Sequence, residues 1–502
     1  MNIVVNQNST VGFLAILPEI LLAILAVAVV MLDVFTPASR RRLIGWVASI
    51  GMFAIALVTL FIPLPEPGSQ LVLGGMLRHD VLAQFFVVVT LVGAALACLI
   101  SMDSPGIGKL GEFYAILIVA TIGACLISAA ADLVMVFIAL ETLTISLYIL
   151  AGFLRDNSRS AEAGMKYFLF GSFTSAIMLY GFSLLYGFTQ NTNIYAIGQV
   201  LRTLPFVAAD GTINVNITLP ILLAMLMITV GFGFKISAVP FHFWTPDVYE
   251  GAPTPVTAYI SVASKAASFA LLTRFFIIVF QGSEPTRVMV QLVAVLAVAT
   301  MTVGNLLALP QRNIKRLIAY SSIAQAGYAL VGVAAAISTS ETGAGVAAVG
   351  FYMAMYVVTN LAAFGVIILF ANATGSETIA DFAGLSRRNI GLALVLTIAL
   401  LSLAGIPPAA GFVGKFFLFK AAVDANLTWL AIIGFLNSII ALYYYLVVIK
   451  VMFVDRSEDE KKAIPISFPY ALALGITTIC VILLGTLPQT VFEWATRAAQ
   501  GL

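Results

Sequence analysis

The feature that most constrains this sequence is the recurrence of apolar runs of about 18 or more residues from one end to the other. A helix of that length crosses the hydrocarbon core of a bilayer, where each backbone polar group needs a partner within its own segment. The composition agrees, because 61% of the 502 residues are hydrophobic and only 10% are charged. The sequence therefore predicts an all-α polytopic membrane protein.

About fourteen membrane spans are predicted from the apolar runs. They cover residues 11–35, 43–63, 79–101, 113–131, 132–153, 163–188, 219–239, 256–280, 288–309, 315–337, 345–371, 391–425 (interrupted), 428–453 and 468–488. A short amphipathic segment at 379–388 is expected to lie at the membrane interface.

Two proline-rich breaks interrupt the seventh and twelfth spans, and 168 positions separate Pro240 from Pro408. Each break falls in the fourth span of a group of five. Because five is odd, two such groups in tandem have opposite orientations, which indicates a transporter fold of two inverted repeats with a site near the midplane. We therefore divide the chain into 1–112 (three helices), 113–280 (first repeat), 281–453 (second repeat) and 454–502 (loop and last helix).

Orientation follows from the basic residues, of which sixteen lie in or beside the odd-numbered loops and five on the other side. The positive-inside rule then predicts odd-numbered loops in the cytoplasm and both termini outside. Glu19 and Asp33 lie toward the ends of the first span and are expected to be solvated or to contact a partner. No dinucleotide, nucleotide or haem motif is present and the three cysteines lie far apart, so no cofactor or metal is expected in this chain.

Charged residues inside the spans are the candidate functional groups, since a lysine at a helix centre costs roughly 2.5–3.5 kcal/mol to insert and marks an ion or proton path by default. The primary candidates are Glu141, Lys235, Lys265 and Lys415. Secondary candidates on the same helix faces or at the first break are Tyr148, His242, Ser261, Ser321 and Gln325.

The hypothesis is a proton relay. Burial disfavours a charged lysine and a nearby carboxylate favours it, so a lysine balanced between the two can release and regain a proton. Glu141 and Lys235 would then act as a switch, and Lys265 and Lys415 would extend the relay. Alternatively, Glu141 and Lys235 only fix helix packing, and His242 only caps the broken backbone.

Three stretches carry a resemblance to a known family: VPFHFWTPDVYEGAPTPVTAYISVASK (239–265), NIKRLIAYSSIAQAGY (313–328) and LAGIPPAAGFVGKF (403–416). They resemble the antiporter-like subunits of respiratory complex I over essentially the whole chain, and within these the bacterial N type. The resemblance implies that Glu141 and Lys235 form a coupling pair, that Lys265 is the central relay and that Lys415 connects to the exit or to a neighbouring subunit.

The resemblance also implies a non-redox subunit of a proton-translocating NADH:quinone oxidoreductase in the bacterial inner membrane. Its expected partners are membrane lipid, the antiporter-like subunit M and the small subunits K and J, with no nucleic acid. NADH, FMN, iron–sulfur clusters and quinone would belong to other subunits. Three alternatives stay open: a subunit of a multisubunit cation/proton antiporter, a subunit of a ferredoxin-linked plastid or cyanobacterial complex, and a passive scaffold.

Overall fold

The computed structural model describes residues 5–207, 212–339, 343–460 and 462–501. Within them, thirteen helices are long and apolar enough to cross a membrane. A shorter apolar helix and its continuation form the interrupted twelfth span. The predicted fold class is confirmed: the protein is an all-α polytopic membrane protein with broken seventh and twelfth spans.

The spans follow the predicted order closely. Numbered one to fourteen, they are Leu17–Phe35, Arg42–Phe61, Val81–Ser101, Gly111–Ala129, Leu133–Ala151, Ser158–Thr189, Val215–Ile236 with Trp244–Gly251, Thr254–Phe280, Thr286–Ala308, Ile314–Ser338, Gly343–Thr374, Ile390–Ala404 with Ala410–Asp424, Thr428–Phe453 and Phe468–Thr486.

Several short elements complete the fold. The segment 379–388, which is predicted to lie at the membrane interface, consists of a 3₁₀ turn followed by a one-turn helix. Three elements had no counterpart in the prediction: a two-stranded hairpin, a helix before the seventh span and a helix after the fourteenth. The short elements are Ser9–Ala15, the 3₁₀ turns Ala38–Arg40, Leu73–Gly75 and Ile379–Phe382, the strands Leu71–Val72 and Leu77–Arg78, and the helices Ile194–Thr203, Leu385–Arg388 and Gln489–Ala499.

Each break begins with a residue in the left-handed region. Ser237 (φ 64°) ends the first half of span seven, and Gly405 (φ 89°) ends the first half of span twelve. A left-handed residue closes a helix C-terminus, and the prolines that follow cannot continue the hydrogen-bond ladder. Span eight contains a third irregularity, the π-helical turn Ile260–Ser264 immediately before Lys265.

Spans eight, ten and eleven form the buried centre of the bundle. In each of them 94% of the most apolar stretch is buried, against 22% in span one and 33% in spans thirteen and fourteen. The carboxyl-terminal half of span eight is fixed to the start of span three by a bidentate ion pair from Arg274 to Asp80, with nitrogen–oxygen distances of 2.6 and 2.7 Å. Burial alone would raise the pKa of Asp80, but Arg274 and Arg78 hold it below its usual range.

Candidate functional site

Lys265 lies in the buried centre, with 2% of its surface exposed. Its Nζ donates to the backbone oxygen of Ser322 at 2.7 Å and to the Ser322 hydroxyl at 2.6 Å. No carboxylate of the described residues lies within ion-pair distance of this amine. The central lysine is therefore held by neutral oxygen atoms on span ten.

A chain of polar side chains continues from Ser322. The Ser322 hydroxyl lies 2.7 Å from the Tyr356 hydroxyl and 3.3 Å from the Tyr249 hydroxyl. Asn360 donates to Tyr356 at 3.0 Å and to Ser261 at 2.9 Å. Ser261, a predicted site residue, thus joins this network through Asn360 and not through Lys265 itself.

Lys415 lies at the second break and is 4% exposed. Its Nζ reaches back across the break and donates to the carbonyl oxygens of Leu403 and Ala404, both at 3.0 Å. The same amine stands 4.3 Å from the centre of the Tyr328 ring. These carbonyls belong to the last turn of a helix, where the backbone dipoles attract a cation.

Gln325 connects the second break to span ten. Its Nε2 donates to Leu403 O at 2.9 Å and to the Tyr445 hydroxyl at 3.3 Å, and its Oε1 accepts from Tyr352. Ser321 and Tyr445 share a further short hydroxyl contact. The predicted residues Ser321 and Gln325 therefore belong to one buried network, which ends at the carbonyl oxygen that Lys415 also contacts.

Lys235 and Glu141 lie near each other but are not in contact. Lys235 is 5% exposed, and its Nζ donates to the Thr144 hydroxyl on span five. Glu141 is half-buried and accepts a 2.6 Å hydrogen bond from Ser175 on span six. In this conformation Thr144, one turn along the helix from Glu141, holds the amine, so the coupling of Glu141 and Lys235 stays a prediction.

The two remaining predicted residues are buried with unpartnered atoms. Nδ1 of His242 at the first break and the hydroxyl of Tyr148 on span five have no hydrogen-bond partner among the described residues. Tyr148 packs edge-on against Tyr167, with ring centres 4.9 Å apart. Buried polar groups are rarely left unpaired, so these two atoms stand out among the predicted site residues.

The sequence reasoning missed several members of the network. They are Ser322, Tyr352, Tyr356, Asn360 and Tyr445. A signal was present, since Tyr352, Tyr356 and Asn360 recur every four residues and so share one face of span eleven. Ser322 gave no such signal, because it does not lie on the face of span ten that Ser321 and Gln325 share.

A different arrangement of charges occupies the end of the bundle that carries the odd-numbered loops. Asp247 accepts from Lys166 at 2.7 Å and from Arg316 at 2.9 Å, and Lys315 lies 3.1 Å from Glu377. A cavity of about 610 Å³ opens here beside Lys315 and Glu377. Among the described residues, no group of three or more His, Cys, Asp or Glu side chains is arranged to hold a metal ion.

Residues 130–441 match the family described as "NADH:quinone oxidoreductase/Mrp antiporter, TM". A curated relative from Trichlorobacter lovleyi, named "NADH-quinone oxidoreductase subunit N", is 41% identical over 496 residues, covering 98% of each chain.

Two solved structures have the same fold. A chain of respiratory complex I from Thermus thermophilus with bound aureothin is 30% identical, with a TM-score of 0.76, covering 95% of this chain and 98% of that one. A chain of the Mrp complex from Dietzia sp. reaches a TM-score of 0.79 at 21% identity, over 98% and 97% of the two chains. The latter likeness concerns the fold alone.

Proposed function

The chain belongs to the subunit N family of bacterial NADH-quinone oxidoreductases, and we propose that within such a complex it carries protons across the membrane. The complex is an enzyme, and this chain is one of its membrane subunits, beside an antiporter-like subunit M and the small subunits K and J. NADH, FMN, iron–sulfur clusters and quinone are assigned to partner subunits. The chain itself supplies side chains that bind and pass protons.

The observation that carries this proposal is the surroundings of Lys265 and Lys415. Both amines are almost fully buried, and their hydrogen bonds go to hydroxyl and carbonyl oxygens. Lys315, which is also buried, shows the structural alternative in the same molecule, because it forms an ion pair with Glu377. An amine whose partners are all neutral can gain or lose its proton without leaving an unpaired carboxylate behind.

The proposed route connects these amines mainly through groups that both donate and accept hydrogen bonds. From Lys265 it runs through Ser322 to its neighbour Ser321, then through Tyr445 to Gln325. No hydrogen bond of the described residues joins Ser322 to Ser321, and one water would bridge these adjacent side chains. Gln325 and Lys415 both donate to Leu403 O, which only accepts, so the last step to Lys415 also needs a water. Glu141 and Lys235 supply the proposed switch, with Thr144 holding Lys235 in the present state.

The proposal also divides the chain after residues 112, 280 and 453, which separates an N-terminal segment, two five-helix repeats and a C-terminal segment. It is supported by the position of the breaks, since spans seven and twelve are each fourth in a group of five. The proposed location is the bacterial inner membrane. The proposed orientation places the odd-numbered loops in the cytoplasm and both termini on the outer side of that membrane.

A free-standing cation/proton antiporter of the multisubunit type is the second candidate, because the Mrp chain has the same fold. The 41% identity to a curated subunit N favours the first. Purification from native membranes separates the two. Co-isolation with iron–sulfur and quinone-site subunits is expected, whereas co-isolation with small membrane subunits alone supports the antiporter.

The relay is tested by Lys265→Ala in the assembled complex. We expect NADH-driven proton pumping to be lost, because no other amine contacts Ser322 among the described residues. The matched control is Lys420→Ala, since Lys420 is exposed and pairs with Asp424 at 2.6 Å. An assembled Lys265→Ala complex that pumps at the parental rate would show that Lys265 is not the central relay.

A further inference from the structure

A buried acid lies outside this route, in the first span. Glu19 is only 9% exposed, and its Oε2 is inaccessible and has no hydrogen-bond partner among the described residues. Glu19 is therefore buried and is not solvated, which was one of the two alternatives expected for it. Asp33, the other acid of this span, is 25% exposed and lies 3.8 Å from Arg41, as expected for a residue at a span's end.

A small cavity lies beside the Glu19 carboxyl. Its volume is about 20 Å³, and its polar lining consists of Glu19, Thr59, Arg78, His79 and Gln84. One water molecule needs roughly 10–15 Å³ of such space and two to four polar partners. The cavity therefore has the size and the lining to hold one water beside the acid.

The neighbouring groups leave the acid without a cation. Arg78 is committed to Asp80 at 3.0 Å and to Gln70 at 2.7 Å. The Thr59 hydroxyl donates to Ile55 O at 2.8 Å, so it can only accept from a further partner. No basic side chain of the described residues lies within ion-pair distance of Glu19.

His79 lines the cavity as a neutral base. Burial lowers its pKa, although the hydrogen bond to Pro63 and the charge of Asp80 oppose that shift. Its Nε2 lies 3.2 Å from Pro63 O. When Nε2 donates to that carbonyl, the other ring nitrogen is left as an acceptor.

An ionised carboxylate with one oxygen buried and unpartnered, as Oε2 of Glu19 is, is more costly to bury than a carboxylic acid with a water to accept its O–H. We propose that Glu19 is a proton-binding site that holds its proton and exchanges it through one water in this cavity. In the exchange, the acid gives its proton to the water, leaving a carboxylate and a hydronium ion. The hydronium passes a proton to His79 or to the solution at the even-numbered loops, and the reverse steps reload Glu19.

This site is separate from the Lys265 route, so its failure would leave the proposed relay untouched. The test is infrared spectroscopy of the purified complex in H₂O and D₂O. We expect a protonated-carboxyl C=O band that shifts in D₂O and loses one carboxyl of intensity in Glu19→Gln. The matched control is Asp33→Asn, which removes the other acid of the same span and should leave the band unchanged.

Each result decides the proposal. A band that is identical in wild type and Glu19→Gln would mean that Glu19 is ionised. A band that does not shift in D₂O would mean that the acid does not exchange its proton. Either result overturns the proposal. If Glu19→Gln fails to assemble, Glu19→Asp keeps a carboxyl in the cavity and should move the band instead of removing it. An unmoved band in Glu19→Asp overturns the proposal as well.

Discussion

The two broken spans contain the same elements but connect them differently. In span seven, the backbone itself closes the first half: Ala238 N donates to Gly233 O at 2.7 Å and Ser237 N to Phe234 O at 3.1 Å. Lys235, in the last turn, is not needed for this closure, and its amine points to Thr144 on span five. The lysine of the first break is thus held by a single side-chain hydroxyl.

Span twelve is closed by backbone bonds in the same way, since Gly405 N and Ile406 N each donate to Leu401 O at 3.0 Å, but here the lysine adds to the closure. Lys415 lies in the second half, and its amine caps the Leu403 and Ala404 carbonyls of the first half. Gln325 adds a second donor to Leu403 O. The ammonium therefore joins the two half-helices, and moving it would leave Ala404 O without a donor and Leu403 O with Gln325 alone.

The two breaks also differ in their buried polar side chains. At the first break, Ser237 Oγ, His242 Nδ1 and Thr245 Oγ1 are buried without a partner among the described residues. Between 403 and 415, the amine of Lys415 is the one side-chain nitrogen or oxygen, and it is partnered. The lysine of the first break is thus held by one hydroxyl that it could leave, whereas the lysine of the second break is tied to the end of a helix.

The largest expected difference between the breaks comes from Lys415→Ala. It should abolish pumping and also lower the thermal midpoint of the complex, because the uncovered Ala404 carbonyl costs about 1–3 kcal/mol. Lys235→Ala should reduce pumping with a smaller loss of stability, since its amine donates to the Thr144 hydroxyl and caps no backbone carbonyl. Thermal denaturation and proton pumping measured on both variants check this.

Lys420→Ala serves again as the control for the removal of an amine from the same half-helix, because its pair with Asp424 is exposed. Equal stability losses in Lys415→Ala and Lys235→Ala would contradict the difference between a fixed and a movable lysine.

Much of the fold was predictable, because a bilayer leaves a chain few choices. Apolar runs of helical length gave the spans, and the prolines at 240 and 408 located both breaks. The four charged candidates stood out, since a charge within an apolar run is rare. The three missed elements, such as the helix Ile194–Thr203, lie outside the spans, where no hydrocarbon thickness sets their length.

The contacts within the site were less predictable. Sequence spacing places Glu141 and Thr144 on one face of span five, but it does not say which of them meets Lys235. That choice depends on the packing of spans five, six and seven, where Ser175 engages Glu141. In the same way, Glu19 is buried by neighbouring helices and not by anything in its own segment.

A smaller effect is expected from Thr144→Val, which removes the acceptor of Lys235 and keeps the side-chain shape. The lost hydrogen bond should cost about 1 kcal/mol, and the freed amine should turn toward Glu141. We expect the pumping rate to fall while assembly is retained, as measured in reconstituted vesicles.

The matched control is Thr142→Val on the same helix, because the Thr142 hydroxyl donates only to its own helix, at Ile138 O, 2.8 Å away. If the two variants pump equally well, the Thr144 contact does not hold Lys235 in a functional position.

The smallest effect is expected from a substitution that makes the first break resemble the second. Ser237→Gly places glycine at the left-handed position, as Gly405 already is in span twelve. Since a left-handed side chain costs about 1–2 kcal/mol and the Ser237 hydroxyl is unpartnered, the thermal midpoint should rise slightly. Ser438→Gly, inside the regular helix Thr428–Phe453, is the control and should lower the midpoint, because glycine in a helix interior costs about 1 kcal/mol of stability. A lower midpoint in Ser237→Gly would show that this hydroxyl has a partner in the assembled complex, and the first break would then be as closed as the second.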